Sequence, residues 1–110
     1  MTPKTKIGEF EQLVLLAVLQ LGENARGIDI RREIEQRAER RVTRGALYTT
    51  LERLEAKGFL DWEVEDSTPA RGGLPRRRFT VTPPGLQALR TSRRALLNLS
   101  RGLEDLLADI

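Results

Sequence analysis

The sequence predicts a mainly α fold of the α+β type, a winged helix-turn-helix followed by a long C-terminal dimerisation helix. Three observations predict it. Three successive segments carry apolar residues at helical spacing. The period then changes to two on either side of a Gly/Pro-rich stretch, and a leucine-rich segment opened by Thr82-Pro83-Pro84 closes the chain. The division expected is residues 1–83 for the helix-turn-helix unit and 84–110 for the last helix, within one domain's worth of 110 residues.

The first helix is expected from Glu9 to Leu21. Phe10, Leu13, Val14, Ala17 and Leu21 line one side, Leu15, Leu16 and Leu19 make other sides apolar, and Gly22 ends it. The second is expected from Gly27 to Ala38, with Ile30, Ile34 and Ala38 inward and Arg31, Arg32, Glu35 and Glu39 outward. Arg40-Arg41-Val42 is read as a strand stub. Thr43 is placed to cap a third helix from Arg44 to Lys57, whose buried stripe is Leu47, Leu51 and Leu54 and whose stop is Gly58. Its opposite face holds Gly45, Thr49, Glu52, Arg53 and Ala56, with Tyr48 at the flank.

Leu60, Trp62 and Val64 then alternate with Asp61, Glu63 and Glu65, which is the pattern of a half-buried strand. A turn-rich run from Ser67 to Pro75 joins it to a second strand with Phe79 and Val81 on one face. Thr82 caps the last helix, with proline in the first turn where its missing N–H costs nothing. A 3/4 spacing of Leu86, Leu89, Leu96, Leu103, Leu107 and Ile110 carries that helix to the end of the chain.

Composition narrows the function. The chain has neither cysteine nor histidine, which removes disulfides, Cys/His zinc sites and Ser-His or Cys-His catalysis. No metal, cofactor or catalytic residue is expected, and the acids are scattered among arginines without a phosphate-binding glycine loop. The longest apolar run, Leu13 to Leu19, falls well short of the ~20 residues of a membrane span, and the N-terminal segment does not read as a signal peptide. A cytoplasmic location is expected.

Net charge is +3, with sixteen arginines against three lysines. Coding bias toward arginine accounts for that ratio as well as function does. It does not account for a stretch from Ser67 to Leu103 with eight arginines and no Asp or Glu. Such a basic run favours a polyanion.

The order of elements suggests a partner, because an α-helix fits the ~12 Å major groove of duplex DNA. Thr49 and Arg53 are the expected base-edge readers. Arg44 and Tyr48 are assigned to phosphates at the groove lip, and Gly45 to close approach of the helix N-terminus. Arg71, Gly72, Gly73, Arg76 and Arg77 form the expected contact set of the wing. Two alternatives stay open: Tyr48 covering the edge of the core, and Arg53 pairing with a glutamate. Leu13 and Leu16 of the first helix, with Leu86, Leu89, Leu96, Leu103 and Leu107 of the last, are expected to bury against a second copy. That places two reading helices about 34 Å apart on one DNA face. The alternative on the same residues is a winged-helix module that binds protein or RNA.

The run Gly45-Ala46-Leu47-Tyr48-Thr49-Thr50-Leu51-Glu52-Arg53-Leu54-Glu55-Ala56-Lys57-Gly58-Phe59-Leu60, followed by Gly72-Gly73-Leu74-Pro75-Arg76-Arg77-Arg78-Phe79-Thr80-Val81-Thr82, resembles the PadR family of bacterial transcriptional regulators. The resemblance spans roughly Ile7 to Leu89. Thr50 stands where that family often has proline, and Ile28 where a tyrosine is common. The last helix lacks the tryptophan that some relatives use to hold flat aromatic ligands. The resemblance implies a dimer that exchanges C-terminal helices and binds inverted-repeat operators, usually as a repressor. It leaves room for a small-molecule inducer without specifying one.

Overall fold

The computed structural model describes residues 6–65 and 76–108. In chain order these form α1 (Glu9–Leu21), a 3-10 turn (Gly22–Asn24), α2 (Gly27–Arg37), α3 (Arg44–Ala56), β1 (Leu60–Glu65), β2 (Arg76–Val81), α4 (Pro83–Ser100) and α5 (Glu104–Leu107). The expected helices and strands are present with starts and ends within a residue or so, apart from the last helix and the strand stub at 40–42.

Helix α1 sits at the centre because it is apolar on more than one side. Val14, Leu15, Ala17 and Val18 are buried, and the helix touches α2, α3, α4 and β2. Ile30 and Ile34 of α2, and Leu47, Leu51 and Leu54 of α3, close the core from one side. Phe59, Leu60 and Phe79 close it from the sheet side, and Ala88 and Leu89 from α4. One charged group is buried among the described residues: the Glu11 carboxylate, on a residue 6% exposed, accepts from Lys57 Nζ at 3.0 and 2.8 Å and from the Gly8 amide at 2.8 Å. This pair ties the end of α3 to the start of α1.

The sheet is an antiparallel pair running from Leu60↔Val81 to Glu65↔Arg76. The strand stub expected at residues 40–42 does not form. Residues 40–42 make no bridge. Val42 is turned into the core, its amide donates to Glu35 Oε2 at 3.1 Å, and Glu39 takes a positive φ of 51°. The segment is therefore the turn between α2 and α3. The backbone that joins β2 precedes α2: Phe79 N–H donates to the Ala25 carbonyl at 2.9 Å, and Arg26 pairs with Arg78.

Helix α4 starts as expected, with Thr82 Oγ1 accepting from Gly85 N–H at 3.1 Å and donating to the Gly58 carbonyl at 2.6 Å. It does not continue to Ile110. It ends at Ser100, Gly102 adopts φ +89°, and Glu104 accepts from the Gly102 amide before the four-residue α5. A glycine in the left-handed region stops a helix whatever the leucine spacing beyond it. A second correction concerns Leu89, which is 3% exposed within the subunit's own core and so does not face a second subunit.

Candidate nucleic-acid interface

Helix α3 buries one side and leaves the other open. The Thr43 hydroxyl caps it by accepting from Ala46 N–H at 3.1 Å, which satisfies one of the amides that a helix start leaves free. With Leu47, Thr50, Leu51 and Leu54 inward, Arg44, Gly45, Thr49, Glu52 and Arg53 are all exposed. Thr49 and Arg53 stand one turn apart on the same face. Arg53 makes no ion pair among the described residues, so the alternative of a glutamate partner does not apply. Gly45 has open space where a Cβ would stand, so no neighbour in the subunit requires glycine there.

Tyr48 covers the edge of the core, the alternative held open for it. It is half-buried against the core, and its hydroxyl overhangs the first residue of α2, where a Cβ on Gly27 would fall 2.2 Å from it. Arg44 lies over its ring at 5.6 Å, within cation–π range. The ring thus forms the floor on which the Arg44 guanidinium rests.

The wing divides its arginines by face. Residues 60, 62 and 64 share a face with 81, 79 and 77, so Arg77 lies on the Trp62 side and stacks on the indole at 4.3 Å. Arg78 and Arg26 lie on the other face and are committed to acids. Arg78 pairs with Glu63, and Arg26 forks onto Glu65 with Nε–Oε1 2.6 Å and Nη2–Oε2 2.8 Å. These hydrogen bonds to carboxylates hold both guanidiniums above their ordinary pKa. Arg76 and Arg77 are left exposed at the start of β2. Arg71, Gly72 and Gly73 lie outside the described residues.

A concave cleft of about 320 Å³ joins these parts, lined by Arg26, Gly27, Ile28, Tyr48, Arg76 and Arg77. The flank of α3, the start of α2 and the outer described part of β2 therefore share one surface. Sequence reasoning named Tyr48, Arg76 and Arg77 in this cleft and missed Arg26, Gly27 and the role of Trp62. Strand pairing would have placed Arg77 diagonal to Trp62. No local signal marks the Arg26–Glu65 contact, which spans 39 positions of sequence.

The third contact set, the leucines, is largely open. Leu96, Leu97, Leu99, Leu106 and Leu107 are 56–82% exposed, Leu103 and Leu16 are exposed to a lesser degree, and Leu13 and Leu86 are half-buried. Among the described residues there is no His/Cys/Asp/Glu cluster that could hold a metal, and no helix is long and apolar enough to cross a membrane.

A helix-turn-helix abutting a two-stranded wing defines a winged-helix regulator. The chain belongs to the PadR-like family of transcriptional regulators, whose pattern matches residues 15–91; its members regulate transcription and are not enzymes. Over 63 residues the chain is 46% identical to the transcriptional regulator Rv3488 of Mycobacterium tuberculosis, a match that covers 56% of this chain and 53% of that protein. The chain thus spans about half the length of this curated relative. Two solved structures are similar along most of their length. A PadR-like transcription factor from Bacteroides fragilis superposes with TM-score 0.70 at 26% identity, covering 88% of each chain. A PadR family transcriptional regulator from Eggerthella lenta superposes with TM-score 0.67 at 28% identity, covering 93% of this chain and 88% of its own.

Proposed function

We propose that the protein is a sequence-specific DNA-binding repressor that acts as a homodimer on an inverted-repeat operator. In this reading the exposed face of α3 enters the major groove. Arg53 forks onto a guanine, Thr49 reads a neighbouring base edge, and Arg44, seated on Tyr48, holds a phosphate at the lip. Arg76 and Arg77, with Arg71, Gly72 and Gly73 beyond them, hold the flanking backbone. The observation that carries the reading is the shared cleft, in which the side of α3 and two wing arginines that pair with no acid among the described residues open to the same surface. A reading helix supplies sequence preference while the arginines supply affinity through the phosphates.

The leucines support the dimer. Leu96, Leu97, Leu99, Leu103, Leu106 and Leu107 are all exposed in the last part of the chain, and large exposed apolar surfaces mark interaction sites. Exposed Leu16 and Leu19 on α1 offer a second such surface. Pairing through them doubles the phosphate contacts and makes the preferred DNA site symmetric.

The test is selection of bound duplexes from a random pool, combined with sedimentation. A twofold-symmetric consensus, a dimer at micromolar concentration and a steep negative slope of log K against log salt are expected. Sequence-blind, salt-insensitive binding would instead indicate a module for protein or RNA, and a monomer would remove the symmetric operator.

A further inference from the structure

The outer half of the wing has almost no core beneath it. Strands rise about 3.3 Å per residue, so the last three pairs, from Glu63↔Arg78 to Glu65↔Arg76, extend to roughly 10 Å beyond the buried Phe79. There Val64 is 56% exposed and Arg77 is exposed. A two-stranded hairpin is marginal on its own, so something must hold this part at a defined angle to α3. On one face that is the stack of Arg77 on Trp62.

On the other face it is Arg26. Arg26 is the N-cap of α2 and its backbone bridges to Arg78 of the central strand β2. Its side chain reaches across β2 to Glu65, the outermost described residue of β1, with both carboxylate oxygens engaged in a fork. Asp29, one turn into α2, stands 3.7 Å from the same guanidinium. The side chains of Arg26 and Glu65 are only 22% and 17% exposed. A planar, bidentate pair fixes direction as well as distance, which a lysine would not do.

We propose that the Arg26–Glu65 pair is a strut that sets the angle between wing and helix-turn-helix, making Arg26 a positioning residue for DNA binding and not a DNA contact. The proposal rests on the DNA-binding reading for its consequence but not for its mechanics. Arg26 is basic and lines the same cleft as Arg76 and Arg77, so a phosphate contact is the rival role. Its carboxylate partner argues against that role, because a phosphate would have to displace Glu65 and leave the acid facing DNA.

The two roles separate in an experiment with Arg26→Met, Glu65→Gln and the exchanged pair Arg26→Glu with Glu65→Arg, each checked for helix content by circular dichroism. In the free protein, the emission of Trp62, the chain's single tryptophan, and trypsin cleavage among residues 71–78 report the wing. Both single variants should shift emission to the red and speed cleavage, and the exchanged pair should return both toward wild type. On a duplex recovered from the random pool, the single variants should bind roughly tenfold more weakly, with protection lost under the wing and kept under α3, and the exchanged pair should recover most of the affinity. Unchanged emission and cleavage in the single variants would overturn the strut. So would an exchanged pair that restores the wing but not binding, since that marks Arg26 as a direct contact. A wild-type chain that binds no duplex sinks the DNA reading alone, because the free-protein measurements still decide the strut.

Discussion

Replacing Lys57 with methionine isolates a buried charge. In the native chain Lys57 Nζ lies 3.0 and 2.8 Å from the two Glu11 oxygens and donates to the Lys6 carbonyl at 3.0 Å. The Glu11 side chain is 8% exposed and that of Lys57 is 20% exposed. Methionine fills similar space but leaves a desolvated carboxylate with, among the described residues, only the Gly8 amide to answer it. Removing one partner of a buried ion pair typically costs about 3–5 kcal/mol. The partial exposure of Lys57 admits some water, which puts this site at the low end, about 3 kcal/mol. At about 4–8 °C per kcal/mol for a domain near this size, melting should fall by roughly 12–24 °C. Adding Glu11→Leu should restore most of that loss, because the pair is then replaced by apolar packing and exposed Gly8 can turn to water. Urea and thermal melts followed by circular dichroism, at several protein concentrations so that any association is held fixed, provide the measurement. If Lys57→Met costs less than about 1 kcal/mol, the value of an exposed surface pair, or if the second substitution adds to the loss, the buried-charge account is wrong.

Gly85→Ala should destabilise the chain although alanine is the better helix former. The new Cβ would lie 2.3 Å from the Phe59 carbonyl oxygen, a backbone atom that cannot rotate away, and overpacking of this kind costs about 1–3 kcal/mol, so an unchanged melt would contradict the close approach of α4 to β1. Arg53→Ala should lose about 1–3 kcal/mol of binding and relax the preference at one base pair, whereas Arg76→Ala should weaken all duplexes alike; competition binding against a panel of single-base variants separates the two, and the assignments fail if the patterns are exchanged. Leu99→Glu with Leu106→Glu, at positions 82% and 79% exposed in the isolated subunit, should give a folded monomer by sedimentation; a dimer persisting unchanged would move the interface elsewhere.

Much of this molecule can be read along the chain because its faces repeat with local periods. The spacing of Leu47, Leu51 and Leu54 placed Thr49 and Arg53 on the outer face of α3, and alternation from Leu60 to Val64 and around Phe79 located both strands. Thr43 and Thr82 announced their helix starts through chemistry acting over three residues. Where local cues conflicted, the chain alone was less decisive. Leucines at 103 and 107 continued the spacing of α4, yet Gly102 broke the helix. Val42, preceded by two arginines, resembled a strand stub, yet its amide went to Glu35.

The sequence by itself determined the class of fold, the buried stripes, the polar face of α3 and the basic character of the wing, because each depends on residues a turn or a pleat apart. Tertiary structure alone decided that Ala25 and Arg26, and not residues 40–42, complete the sheet edge. It also decided that Leu89 belongs to the subunit core, that Tyr48 rests over Gly27, and which wing arginines are spent on acids. The physical reason is distance along the chain. Glu11 meets Lys57 across 46 positions and Arg26 meets Glu65 across 39, and a charge finds such a partner only after the apolar faces have packed.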